Sequence, residues 1–232
     1  MFGLPVTGGS KMKNRAPDRF DPTRRKILAG AAAASAQLLV PTIAGASTVK
    51  SAKMDIDHFV QDCIDANKDS DGQAAVLEVL RKAVSDPRQM LAAVGEPTRA
   101  GISLIHRSET LTMFNAAWTP RMNLIPHNHH MWASIGIYTG REDNLFWRES
   151  DDSIEAFGAK ALFEGDAAAL PVDAIHSVTN PLLRFTGGIH IYGGDFFDTT
   201  RSQWDAETLE KEPSDGDVIR GIFERENEML GI

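Results

Sequence analysis

Over residues 54–94 apolar positions recur at three- and four-residue intervals: Phe59, Val60 and Ile64, then Val76, Val79, Leu80 and Val84. That spacing collects them on one helical face, so two or three short helices are predicted, punctuated by Asp86-Pro87 and Gly95-Glu96-Pro97. From Gly101 onward the pattern changes to short apolar and β-branched runs separated by turn residues. Strands are expected at 102–106, 111–118, 131–138, 144–147, 161–164, 167–170, 176–178 and 188–192. Short strands at this density, with no helices between them, predict an antiparallel sandwich or barrel rather than a parallel α/β sheet. Helical spacing returns over residues 216–230.

The segment ahead of the first helix follows a different logic. Arg24 and Arg25 precede an uncharged run from Ile27 to Val49, and Ala44-Gly45-Ala46 supplies a small-residue cleavage pattern. A basic region, an Ala/Leu-rich stretch and small residues in that order are the anatomy of an export signal cleaved after Ala46. The paired arginines resemble the twin-arginine signal, which implies a folded protein exported to the periplasm; a non-functional leader would leave it cytoplasmic. An uncleaved anchor or a disordered extension are the other readings, and Pro41 with the many Ala and Gly residues makes the stretch a weak membrane span. The expected organisation is a signal peptide at 1–46, a helical segment at 47–98, a barrel at 99–204 and a helical segment at 205–232, with no stable membrane association once the leader is removed.

Charge follows this division. Of the 24 Lys/Arg and 32 Asp/Glu residues, seven and two fall in residues 1–46, leaving a mature chain with a formal balance of −13. An acidic body without a basic cluster excludes nucleic acid as a natural partner. The single cysteine, Cys63, sits in an amphipathic helical stretch and reads as a packed small hydrophobe, and no intrachain disulfide can form.

Five of the seven histidines lie between residues 127 and 190. In Pro126-His127-Asn128-His129-His130, the first and second histidines alternate and project to one face of an extended chain, while His130 faces the other way as a core or supporting residue. By itself this pair suits either a metal or ordinary packing. A second segment, Gly165 to Asn180, carries Gly165, Pro171, His176 and Asn180 at the offsets of the second cupin motif, with Asp173 in place of its middle glycine. His127, His129 and Gly140 are similar to the first cupin motif, with Arg121 where its leading glycine usually stands. The resemblance spans about residues 100–200. It implies a mainly β cupin double-stranded β-helix (a jelly-roll barrel) with short N-terminal helices and a C-terminal helix, and one metal ion held by His127, His129 and His176.

Most cupins add a glutamate where this chain has Ala133. Three histidines without it resemble the thiol dioxygenases, the cysteine and 3-mercaptopropionate dioxygenase group, which implies Fe(II), O2 and a small carboxylate-bearing thiol oxidised to a sulfinate. Imidazole also suits Zn, Mn or Ni, and a metal-dependent isomerase or hydrolase, or a ligand-binding protein, fits the same residues. The family's late-strand Ser-x-His-x-Tyr segment corresponds to Gly188-Ile189-His190-Ile191-Tyr192, so His190 and Tyr192 are the implied catalytic pair, without the serine that tethers the imidazole. The position of the family's crosslinking cysteine is Ala133 or Ser134. Arg201, nine residues beyond Tyr192, and Arg107 are the candidates for binding the substrate carboxylate, with Arg121 a third.

Overall fold

A computed structural model describes residues 53–150 and 153–232; the expected signal peptide and its cleavage site lie outside them. Three helices come first: α1 (Ile56–Ala66), α2 (Gly72–Val84) and α3 (Pro87–Val94). The Asp55 carboxylate accepts from the His58 amide and Asp71 accepts from the Ala74 amide, satisfying amides that the first turns leave free. Pro87 opens α3, where its fixed φ suits the first turn.

Strands follow in the order β1 (Gly101–Arg107), β2 (Thr112–Trp118), β3 (Asn123–Asn128), β4 (Ala133–Thr139), β5 (Arg141–Ser150), β6 (Ser153–Phe163), β7 (Ala167–Leu170), β8 (Ile175–Thr179), β9 (Thr186–Tyr192), β10 (Ser202–Trp204) and β11 (Lys211–Pro213), and α4 (Gly216–Leu230) closes the chain. They form two antiparallel sheets, ordered β1-β2-β9-β4-β7 and β11-β10-β3-β8-β5-β6. The eight strands β2 to β9 divide between the sheets in the order 2-9-4-7 against 3-8-5-6, with only the consecutive pair β5 and β6 in one sheet, which is the jelly roll, or double-stranded β-helix.

The first sheet is covered on both faces. Phe114, Ile135 and Ile137 point between the sheets, meeting Leu124, Leu162 and Val178, and Phe223 of α4 joins them. Met113, Tyr138, Ile189 and Ile191 point outward onto Phe59, Val76, Leu80 and Met90 of the helices. Every residue of β4 and of β9 is therefore buried, and both strands read as mainly apolar runs, interrupted by Ser134 and His190, with Thr139 ending β4 and Thr186 opening β9. Gly136 admits α2 closely, since a Cβ there would lie 2.9 Å from Leu80. The Asn227 side chain fixes α4 to the barrel by accepting from the Ala100 amide and donating to its carbonyl.

Several boundaries differ from the expected ones. The pieces expected at 144–147 and 161–164 belong to one long hairpin, β5–β6, whose far end carries charges such as Arg148 and Glu155 and so lacks an apolar signature. Strand β3 was hidden by Pro126 and by histidine and asparagine at its end. The expected helical segment 205–232 begins with β11, a short polar edge strand paired only with β10. His130 is neither core nor on a strand: it turns the chain at φ 52°, is exposed, and bonds Asn128 and the Thr200 carbonyl.

Cys63 is fully buried in α1, and burial pushes its thiol up to about 12. A thiol reagent such as dithionitrobenzoate at pH 8 is expected to leave Cys63 unmodified in the native protein and to label it fully after denaturation; rapid native labelling would contradict this packing.

Candidate metal centre

Antiparallel pairing sets His127 of β3 directly opposite His176 of β8. His129 lies one residue past the end of β3, on the turn that His130 makes. One nitrogen from each of the three rings lies within 4.8 Å of the others. The Nε2 atoms of His129 and His176 are 3.3 Å apart.

Hydrogen bonds assign the tautomers of two of the rings. His127 Nδ1 donates to the Ile125 carbonyl at 3.0 Å, and His176 Nδ1 donates to Asn144 Oδ1 at 2.6 Å. Both rings thus keep a bare Nε2 for a cation, with the opposite nitrogen anchored as metal-binding histidines require. Two nitrogens 3.3 Å apart and each about 2.1 Å from one ion subtend roughly 100°, between octahedral and tetrahedral coordination. Burial lowers His127 to about 4, and burial followed by the neighbouring imidazoles holds His129 and His176 well below the usual histidine range. At neutral pH all three are uncharged ligands, so the donor set fits a single divalent ion.

Strand β9 brings the second half of the site from the opposite sheet. His190 pairs with Phe114 and Ile135, and Tyr192 with Thr112 and Ala133, which places both side chains between the sheets. His190 Nδ1 and the Tyr192 hydroxyl lie 3.3 Å apart, and the Tyr192 ring packs edge-on against His129 with centroids 4.8 Å apart. Burial, and then the Glu142 charge, push the Tyr192 phenol well above its ordinary range, so it stays protonated. Ala133 shares the inner face with Tyr192, whereas Ser134 points outward with a buried hydroxyl that has no partner among the described residues. Neither supplies a sulfur to crosslink Tyr192.

The sequence did not point to Glu142 on β5, which is completely buried. Its Oε2 accepts from Trp118 Nε1 at 3.0 Å, and its Oε1 accepts from Asn144 Nδ2 at 3.0 Å. Oε2 also lies 3.2 Å from His190 Nε2, at ion-pair distance though out of line for a regular ring hydrogen bond. Burial alone would raise this carboxyl; the His190 charge and the hydrogen bonds outweigh it and hold the group below its usual value. Glu142 therefore reaches both halves of the site, touching His190 directly and His176 through Asn144. Gly188 has no side chain to reach His190, and a Cβ there would lie 3.4 Å from His190 Nε2 but 2.9 Å from Ile137. Glu142 and Asn144 alternate onto the inner face of β5, a pattern indistinguishable in sequence from any polar strand edge.

Arg201 follows β9 and stacks on the Phe196 ring, its guanidinium carbon 3.8 Å from the centroid. It is half-buried, its Nε has no hydrogen-bond partner, and no carboxylate of the described residues pairs with it. Arg107 is placed differently: it is exposed, bonds Asp195 at 2.8 Å and lies over Phe197, outside the cavity lining. Arg121 is an exposed turn residue at φ 65°, so the position of the motif's usual glycine keeps a left-handed backbone. A cavity of about 400 Å³ opens from His127, His176, His190, Tyr192 and Arg201 toward α4, which lines it with Ile219 and Phe223 and also with Arg220 and Glu224.

No family model matches the chain, and no curated protein does. Among solved structures, a cupin family protein with a double-stranded β-helix fold from Methanocaldococcus jannaschii matches 44% of this chain and 86% of its own at 9% identity, with a TM-score of 0.38. A conserved protein with a double-stranded β-helix domain from Klebsiella pneumoniae matches 43% and 76% at 12% identity and a TM-score of 0.35. Oxalate decarboxylase from Bacillus subtilis matches 38% of this chain at 19% identity and a TM-score of 0.33, and the match spans only 22% of that enzyme. The cupin fold of this chain rests on its own strand order, and its candidate chemistry on its three-histidine group.

Proposed function

We propose that this chain is an Fe(II)-dependent dioxygenase that oxidises a carboxylate-bearing thiol, of the cysteine or 3-mercaptopropionate type, to its sulfinate, placed in the periplasm by its leader. One observation carries this reading: three neutral imidazoles converge beside a half-buried arginine that no described carboxylate engages. Three uncharged ligands leave both charges of a divalent ion uncompensated, and Arg201 adds a third. A substrate that is both thiolate and carboxylate offsets two of them.

Iron held by His127, His129 and His176 would bind the thiolate and O2 and lower the thiol pKa. Arg201 takes the carboxylate in a bidentate fork, its plane held by the Phe196 ring. Tyr192 donates its retained proton toward the substrate, and His190, braced by Glu142, fixes the hydroxyl that donates it. Phe114 and Phe196 pack on Tyr192 and keep water from that side. The balance is R–S⁻ plus O2 giving R–SO2⁻: both oxygen atoms bond to sulfur, and the four electrons that sulfur loses reduce the O2.

Anaerobically purified protein reloaded with Fe(II) is expected to consume O2 and form sulfinate in a one-to-one ratio with 3-mercaptopropionate, cysteine or a substituted relative, and the zinc-loaded protein is expected to consume none. Absence of uptake across such a thiol panel would reject the reading.

A further inference from the structure

We infer that the substrate carries an apolar body of about aromatic size beyond its thiol and carboxylate, rather than ending at the three-carbon skeleton of cysteine. The inference deepens the proposed function and rests on it for the roles of the metal centre and Arg201. It comes from how the cavity is divided. One group of polar side chains gathers where β3 and β8 present His127 and His176, together with His190, Tyr192 and Arg201, and a second, with Arg99, Arg220 and Glu224, lines the α4 side of the cavity. Further along the same two strands, Leu124 pairs with Val178, roughly 7–10 Å from the histidine row, given about 3.3 Å per residue. Trp118, Ile219 and Phe223 line the cavity with them, and the Trp118 indole N–H is already given to Glu142.

The whole space of about 400 Å³ lies within the range of roughly 300–1,000 Å³ that holds drug-sized ligands. A three-carbon thiol acid spanning the iron and Arg201 leaves the Leu124–Val178 end filled with water against apolar walls. The half-buried α4 residue Ile219 and the β1 residue Ile102 flank this end and are free of polar obligations. A thiol such as 2-benzyl-3-mercaptopropionate has the matching layout: sulfur and carboxylate close together, and a ring diverging from both.

Binding can be read without oxygenase turnover. Calorimetric titration of the metal-loaded full chain with 3-phenylpropionate and with propionate is expected to show about 10- to 100-fold tighter binding of the phenyl acid, the value of burying one aromatic group. Ile219→Trp, which fills the apolar end, is expected to remove that advantage; Ile102→Trp makes the same test from the facing wall if α4 does not tolerate the ring. Arg201→Ala is expected to weaken both acids. Equal affinities, or no binding of either acid, would overturn the inference. Preference for the phenyl acid with no O2 uptake on any thiol would uphold the cavity and reject thiol oxidation. Uptake that favours 3-mercaptopropionate over its 2-benzyl derivative would do the reverse.

Discussion

Alanine at His176 is expected to weaken binding of a divalent ion at least about a thousandfold. Multi-ligand protein sites hold zinc with roughly 10–16 kcal/mol, and losing one of three protein ligands removes about a third of that, on the order of 4 kcal/mol. Competition titration with a chromophoric chelator measures it, and His130→Ala, which removes an exposed imidazole outside the group, is the matched control. Unchanged affinity in His176→Ala would show that the three rings are not a ligand set. The metal-free protein carries a linked signature. Below about pH 6.5 the unfolded chain protonates its histidines, while the native site holds His127 neutral to about 4. The unfolded state therefore binds more protons in that window, and apo stability falls as the pH drops from 6.5 toward 4. Thermal melts at pH 7 and pH 5 are expected to differ for the apo protein, and the difference is expected to shrink in His176→Ala.

Replacing Glu142 is expected to have the largest effect on the barrel itself. Glu142→Ala leaves the Trp118 N–H, the Asn144 amide and His190 without their shared buried acceptor, and breaking such a network costs about 3–5 kcal/mol. Glu142→Gln keeps the shape but sets an amide N–H against either the Trp118 or the Asn144 donor, at about 1–3 kcal/mol. Chemical denaturation measures both. Metal affinity separates positioning from bulk stability: with Asn144 unbraced, His176 is less firmly oriented, and a 10- to 100-fold loss in the Gln variant is expected. A stability loss with metal affinity intact would confine Glu142 to packing.

The sequence made some of this legible and hid the rest for physical reasons. The helices before the barrel and α4 show a clear three- and four-residue period because each buries one face only. His127, His129 and His176 were visible because ligand chemistry restricts residue type and the strands set the spacing. Glu142 was not visible, since a carboxylate two positions from an asparagine marks a solvated strand far more often than a buried brace. The two arginine candidates differ in what surrounds them, and only folding sets Asp195 beside Arg107 while leaving Arg201 against Phe196. The hairpin β5–β6 was underestimated because its outer half is held by backbone pairing, which apolar patterning does not report.

The jelly roll joins strands that are distant along the chain: Thr112 meets Tyr192, and His127 meets His176 only after β4 to β7 have been laid between them. Such non-local pairing closes long loops before any contact rewards it, so this barrel belongs with the slow folders, on a timescale of about milliseconds to seconds. His127 and His129 are neighbours on one segment, but the third ring, His176, reaches them only when β8 pairs with β3. Ion capture by the three-histidine group would therefore be completed late, and the supply of metal wherever folding finishes would decide which ion is taken up.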